Sequence, residues 1–435
     1  MKSGGTVNMK RLAGLVALLA FTLPFISCSK QNTPKADVVI WHWMTDRQDT
    51  FDKLAEKYGK ETGIRVLFET YAPSDVYKDK VHAAAAGKLL PEIYSPLGDK
   101  RELASYINAG YIADLTDEMN KGWKDIFFEK PLMENTYTEG NEWNVKPGIY
   151  GVPIDVNVMM LYYNKDLFKQ AGLDPEKPPE TWDQFIEAGA KLRKDGIQPF
   201  VCGFGEGWLI GVFAASYEWS LLGKDGVLDT INGKMKYTDP GWISIFNLFD
   251  DMRKNNLYAS GIATMLNKDA ERAFATGQAA IALNGSWGVN VYYSMNPNLN
   301  YGIMMPPKLK ESKYPMLISG GEGSTLYINP ASPNKDKAIA FLKWLTDKEQ
   351  QAFLAQETRN IPSNKDAGAD VSPVLKEFTK NINNTFDPLP VNEQWQVTNA
   401  FDIGLQAIII GEKKPEQIAQ EVQKLKDSVP KTGGK

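Results

Sequence analysis

The chain has 435 residues, 43% hydrophobic and 23% charged, with 49 basic against 53 acidic side chains and a formal charge of −4. This composition excludes a disordered chain, a collagen-like repeat and a disulfide miniprotein, and the length suits two or three domains. With no basic stripe to neutralise a nucleic-acid backbone, nucleic acid is not expected as a partner.

The first element is an apolar run from Leu12 to Ser27, preceded by Lys10 and Arg11 and followed by Cys28. It is too short and too close to the amino terminus for a membrane span, and reads as a secretory signal covering residues 1–27. Phe25-Ile-Ser-Cys28 resembles the bacterial lipobox, with Phe25 where that motif prefers Leu. The resemblance implies cleavage before Cys28, diacylglycerol on its sulfur and a further acyl chain such as palmitate on the new amino group. An ordinary secretory signal with an incidental cysteine is the alternative. Each buried CH₂ contributes roughly 0.8 kcal/mol, so several acyl chains make a lasting anchor on the outer side of the bacterial cell membrane. Residues 28–35 lack an apolar run and read as a tether. With Cys28 lipidated, Cys202 is the only thiol and no intramolecular disulfide forms.

Asp37-Val-Val-Ile-Trp41 then reads as a buried strand, and Phe51, Leu54, Ala55 and Tyr58 have helical spacing closed by Gly63. The alternation at Ile64, Val66 and Phe68 gives a second strand, completing a βαβ unit and implying a parallel sheet. Thr181-x-x-Gln184 is a capping box for a helix ended by Gly196, before a strand at Pro199–Gly203. Ala338, Phe341, Leu342 and Leu345 form one helix face, Thr346-x-x-Glu349 is placed to cap a successor, and Pro415 starts the last helix. The fold class is α/β, with ligands expected where strand ends meet loops.

The only histidines, His42 and His82, sit in no zinc-binding spacing, and no cofactor is expected, although a calcium site of carboxylates and carbonyls stays open. No nucleophile elbow, P-loop or dinucleotide fingerprint occurs. Gly203-Phe-Gly-Glu-Gly207 and Ser319-Gly-Gly-Glu-Gly-Ser324 read as turns unless their amides approach a ligand. The distinctive residues are aromatic: Trp41, Trp43, Trp208, Trp287 and Trp395 fall at strand ends or loops. An indole packs on the C–H face of a sugar ring while carboxylates and amides bond its hydroxyls, but Trp is also a common core residue, so the set carries the argument rather than any one.

Gly148-Ile-Tyr-Gly-Val-Pro153, Leu161-Tyr-Tyr-Asn-Lys-Asp-Leu-Phe168 and Pro179-Glu-Thr-Trp-Asp-Gln-Phe185 are followed by Ala273–Ile281 with Gly285-Ser-Trp287, then Ile328–Asn334 and Ile361-Pro-Ser-Asn364. In this order the motifs resemble the family 1 extracellular solute-binding proteins of ABC importers, the maltodextrin and multiple-sugar group. The resemblance implies a two-lobed, periplasmic-binding-protein-like (type II) fold with hinge crossings near Asp155, Met305-Pro306 and Thr358. Lobe one is then 36–154 and 306–357, and lobe two 155–305 and 358–435. It further implies a monomer that binds a carbohydrate between the lobes, delivers it to membrane permease subunits, and is not an enzyme.

By position, the resemblance assigns Trp43, Asp46, Asp99, Asp155, Trp208, Trp287, Gly321, Glu322, Arg359 and Trp395 to the ligand site. Several carry a plain alternative: a helix cap for Asp46, a solvated turn for Asp99, a surface ion pair for Arg359. Two further functions are kept in view. A glycoside hydrolase would pair Asp155 with Glu322 or Asp46 across a glycosidic bond; a surface lipoprotein would bind another solute or a peptide.

Overall fold

A computed structural model describes residues 36–429 apart from 322, 369–371, 388 and 390. The signal, Cys28, the tether and Glu322 therefore lie outside the described residues.

Two sheets organise the chain. In the first, Val38–His42 lies between Val66–Thr70 and Ile93–Tyr94, parallel to both; Thr325–Ile328 and Val152–Pro153 then extend the sheet antiparallel. The second has the order Tyr301–Met304, Met159–Asn164, Ala279–Gly285, Gln198–Val201, with only the last pair parallel. Both sheets are thus mixed where a parallel sheet was expected. The βαβ periodicity identified the parallel core of the first sheet but carried no information on strands that return from distant sequence.

Local signals explain much of the helix placement. The helix Gln48–Thr62 buries Phe51, Leu54 and Tyr58 and ends at Gly63, whose N–H still bonds the Gly59 carbonyl at 2.9 Å while its φ of 75° turns the chain out of the helix. Thr181 and Gln184 form the expected reciprocal cap on Trp182–Lys194, and Pro415 opens Pro415–Ser428. Thr346 does not cap the helix Lys348–Thr358. Its hydroxyl donates back to the Leu342 carbonyl at 2.8 Å and accepts the Trp123 indole N–H at 2.9 Å, and Asp347 takes the cap position.

The first sheet is covered on one face by Phe51, Leu54, Phe341, Leu342 and Leu345, and on the other by a tyrosine-rich layer of Tyr77, Tyr94, Tyr106 and Tyr327. Phe185, Leu192, Phe213, Phe249 and Leu405 cover one face of the second, and Phe274, Tyr292, Leu375 and Phe378 pack with Tyr162 on the other. Each such side chain contributes about 1.5–3 kcal/mol by leaving water.

The chain passes between these cores along a narrow band. Residues following Val152–Pro153 run into Asp155–Val156, which pairs antiparallel with Ile361–Pro362. The middle passage lies at 319–324 and not at Met305-Pro306. Leu309 is buried in the second core, Lys308 N–H donates to the Glu180 carbonyl at 2.9 Å and Lys313 N–H to that of Ser220 at 2.9 Å. Ile154 N–H then meets the Ser324 carbonyl and Met159 N–H that of Ser319, each at 2.9 Å, so this segment runs alongside the first passage. Gly323 is required there: a Cβ would sit 2.1 Å from the Asp155 carbonyl oxygen.

Candidate functional site

Beyond the carboxyl ends of two parallel strands of the first sheet opens a cleft of about 480 Å³. Trp43 follows Val38–His42 and Ser95 to Lys100 follow Ile93–Tyr94; Glu134 and Asn135 close the helix Glu129–Glu134, and Gly320, Gly323, Ser324 and Thr325 come from the second passage. Phe386, Asp387, Leu389 and Asn392 also line it, and Phe386 and Leu389 pack on the core of the second sheet. The cleft thus draws its walls from both cores.

Several wall residues are held in place by hydrogen bonds and ring contacts to their neighbours. Trp43 rests on Tyr77 with ring centroids 5.3 Å apart, and the Tyr77 hydroxyl donates to the Trp41 carbonyl at 3.0 Å while accepting Ser95 N–H at 2.9 Å. The Asn135 amide nitrogen donates to the Pro131 carbonyl and Thr325 hydroxyl, and its oxygen accepts the Tyr327 hydroxyl, so its bonding is spent on position. Two cations span the cores. Lys130 Nζ donates to the Thr385 carbonyl at 2.6 Å and hydroxyl at 2.8 Å, and Arg101 donates to the Glu393 carbonyl at 3.2 Å. Burial pushes the Glu134 carboxyl above its usual range despite the opposing pull of Lys100 and Lys130.

Of the residues that the family resemblance singled out, Trp43 and Asp99 line this cleft. Asp99 is also a helix cap, accepting Glu102 N–H at 2.9 Å. Trp208 and Trp287 face each other with centroids 6.2 Å apart and planes at 46°. Trp208 is 47% exposed; its indole N–H donates to Glu206 at 2.9 Å, and that of Trp287 to Glu271 at 3.2 Å. This pair is not in the lining of the cleft, but it is tied to its edge: Ser286 N–H bonds the Val158 carbonyl at 2.9 Å, and Val158 bridges Gly320 of the wall. Asp46 caps no helix through its side chain, and instead receives Asn290 Nδ2 at 3.4 Å.

The others among the described residues lie away from the cleft lining. Asp155 is 1% exposed; one carboxylate oxygen pairs with the buried guanidinium of Arg47 and the other accepts Ser324 N–H. Gly321 N–H is spent on the Asn157 carbonyl at 2.9 Å. The Arg359 guanidinium lies 3.4 Å from the Tyr293 ring centroid, a cation–π contact in place of a surface ion pair. Trp395 is 65% exposed in a separate apolar groove with Ile403, Ile418 and Leu425. Sequence reasoning missed Glu134, Asn135, Asp387 and Asn392, since isolated polar residues at element ends carry no periodic signal.

Two further carboxyls lie in the second core. Glu218 is pushed up to about 8 by burial and by Asp402, which burial raises to about 7. Among the described residues, no group of three or more His, Cys, Asp or Glu is placed to hold a metal ion.

The bacterial extracellular solute-binding protein family model matches residues 42–352. A multiple sugar-binding protein from Streptococcus mutans is 26% identical over 349 residues, 77% of each chain. An sn-glycerol-3-phosphate-binding periplasmic protein, UgpB of Pectobacterium atrosepticum, is 27% identical over 444 residues, covering 94% of this chain and 95% of the relative. Among solved structures, a chitin oligosaccharide binding protein superposes with a TM-score of 0.75 at 24% identity, covering 91% and 99% of the two chains. Maltose-bound MalE3 of T. maritima gives 0.74 at 21% identity, covering 90% and 98%.

Proposed function

The chain belongs to the bacterial extracellular solute-binding protein family, and from that membership we propose that it captures a saccharide in the cleft and hands it to the permease of an ABC importer. The observation that carries the reading is the cleft of about 480 Å³ whose walls come from both cores, with an indole face on one side and carboxylates and amides around it. Trp43 offers the stacking face, Asp99 and Glu134 accept hydroxyls, and the Trp208–Trp287 pair extends the platform for a longer guest. Lobes that rotate about the three passages bury the ligand, and the closed outer surface is what a permease reads.

In this reading the family's extracytoplasmic protein is a monomer held to the membrane by lipid on Cys28, and it transforms nothing. The carboxyl pairs that the hydrolase reading named all use Asp155, and both oxygens of Asp155 are already engaged. Names of relatives point to sugars and to sn-glycerol 3-phosphate, and the aromatic face favours the former.

Small-angle scattering of the chain from Ser29 onward tests the proposal. A saccharide chosen by thermal shift is expected to shrink the radius of gyration and to be recovered unaltered. An unchanged radius under saturation would refute hinge closure, and release of shorter sugars would favour the hydrolase.

A further inference from the structure

Among the described residues, three carboxylates line the cleft, those of Asp99, Glu134 and Asp387, against one ammonium, Lys100. Their situations differ. Asp99 sits on the amino terminus of the helix Lys100–Asn108, so the helix end that would attract an anion already holds one. Asp387 lies 3.7 Å from Lys130 Nζ and 4.0 Å from Lys224 Nζ. Glu134 is half-buried, and among the described residues no hydrogen bond or ion pair satisfies its carboxylate.

The nearby cations are committed elsewhere. Lys130 and Arg101 spend their donors on the carbonyls of Thr385, Asn392 and Glu393, and Lys100 Nζ donates to the Met133 carbonyl at 3.2 Å and lies over the Tyr137 ring. A phosphate entering this cleft would meet more carboxylate than ammonium, and would have to draw Lys100 from the Met133 carbonyl or break the contacts of Lys130 and Arg101 between the two cores to recruit a partner. A hydroxyl group meets an acceptor that lacks a donor.

We infer that the cleft selects an uncharged, hydroxyl-rich guest against a phosphorylated one, with the Glu134 carboxylate accepting guest hydroxyls and repelling anions. The inference rests on the saccharide-binding reading above and sharpens it, because two of the relatives carry names with ligands of different charge, one a sugar and one a phosphate ester. Burial already raises the Glu134 carboxyl; a donor hydroxyl relieves that unfavourable ionisation, and a second anion aggravates it.

The experiment is a paired thermal-shift and calorimetric screen. One arm uses maltose, cellobiose, xylobiose and raffinose; the other uses glucose 6-phosphate, glucose 1-phosphate and sn-glycerol 3-phosphate. At least one neutral saccharide is expected to raise the melting temperature and the phosphate esters to leave it unchanged. Glu134→Gln, which keeps size and shape, is expected to weaken the neutral ligand about tenfold with an unaltered circular dichroism spectrum. Glu134→Lys is expected to admit the phosphate esters. A phosphate ester that stabilises the wild type overturns the selectivity, and wild-type affinity in Glu134→Gln overturns the assigned role; both outcomes leave a solute-binding protein in place. Absence of binding in both arms overturns the saccharide reading itself, and this inference with it.

Discussion

Asp155 and Glu134 are carboxylates in two neighbouring regions, the band of passages between the cores and the wall of the cleft, and their surroundings differ. At the passages, Arg47 and Asp155 are 3% and 1% exposed, paired with each other, and the second Asp155 oxygen takes a backbone N–H. In the wall, Glu134 meets no donor among the described residues. Satisfied polar groups hold a geometry; unsatisfied ones at a concave surface are what a ligand completes. The contrast separates residues that set the shape of the cleft from those that read its contents.

Substitutions break or sharpen that contrast in a definite order. Arg47→Met leaves Asp155 as an uncompensated buried charge and is expected to cost about 3–5 kcal/mol of stability by denaturant unfolding, while Glu134→Gln leaves stability nearly unchanged. Equal losses would erase the distinction between the two regions. Next come the aromatic faces. Trp43→Ala and Trp287→Ala are each expected to weaken a bound saccharide by roughly tenfold in calorimetry. An unchanged affinity in Trp287→Ala would remove the tryptophan pair from the binding platform.

A smaller effect concerns the carboxyls away from the cleft. Glu218 has a folded value near 8 and Asp402 one near 7, both above their unfolded values, so the unfolded chain releases these protons first as pH rises. Their contribution therefore destabilises the fold progressively between about pH 4 and pH 8. Asp402→Asn is expected to be more stable than the parent at pH 8 by on the order of 1–2 kcal/mol, with the gap closing near pH 4. His42 works in the opposite direction: burial lowers it to about 4, so its contribution is lost as pH falls from about 6.5 toward 4. Thermal melts across this range check both signs. Least of all, removing the exposed Lys53–Glu357 pair, 2.6 Å apart, is expected to change stability by about 0.5 kcal/mol or less.

Periodicity and caps made the α/β architecture legible, because Phe51, Leu54 and Tyr58 or Thr181 and Gln184 act within a few residues of one another. Family resemblance supplied the two-lobed arrangement. The middle passage was displaced because residues 306–318 contain no regular element, and their attachment to the second core is made by single contacts such as Lys313 to Ser220. At the site, Trp43 was readable as an aromatic directly after a strand. Asp155 was readable as a residue of the passage, but its partner Arg47 lies 108 positions away and no local pattern announces a buried ion pair. Glu134 and Asp387 owe their place to the convergence of distant segments.

Hydrogen exchange of the full lipid-free chain, with and without the saccharide that gives the largest thermal shift, tests most directly that one guest is gripped between both cores. Protection is expected together around Leu97 to Lys100, Glu134 and Asn135 on one wall and around Phe386, Asp387, Leu389 and Asn392 on the other, which line the same cleft. Protection confined to one wall, or appearing instead around Trp395 and Ile403, would contradict it.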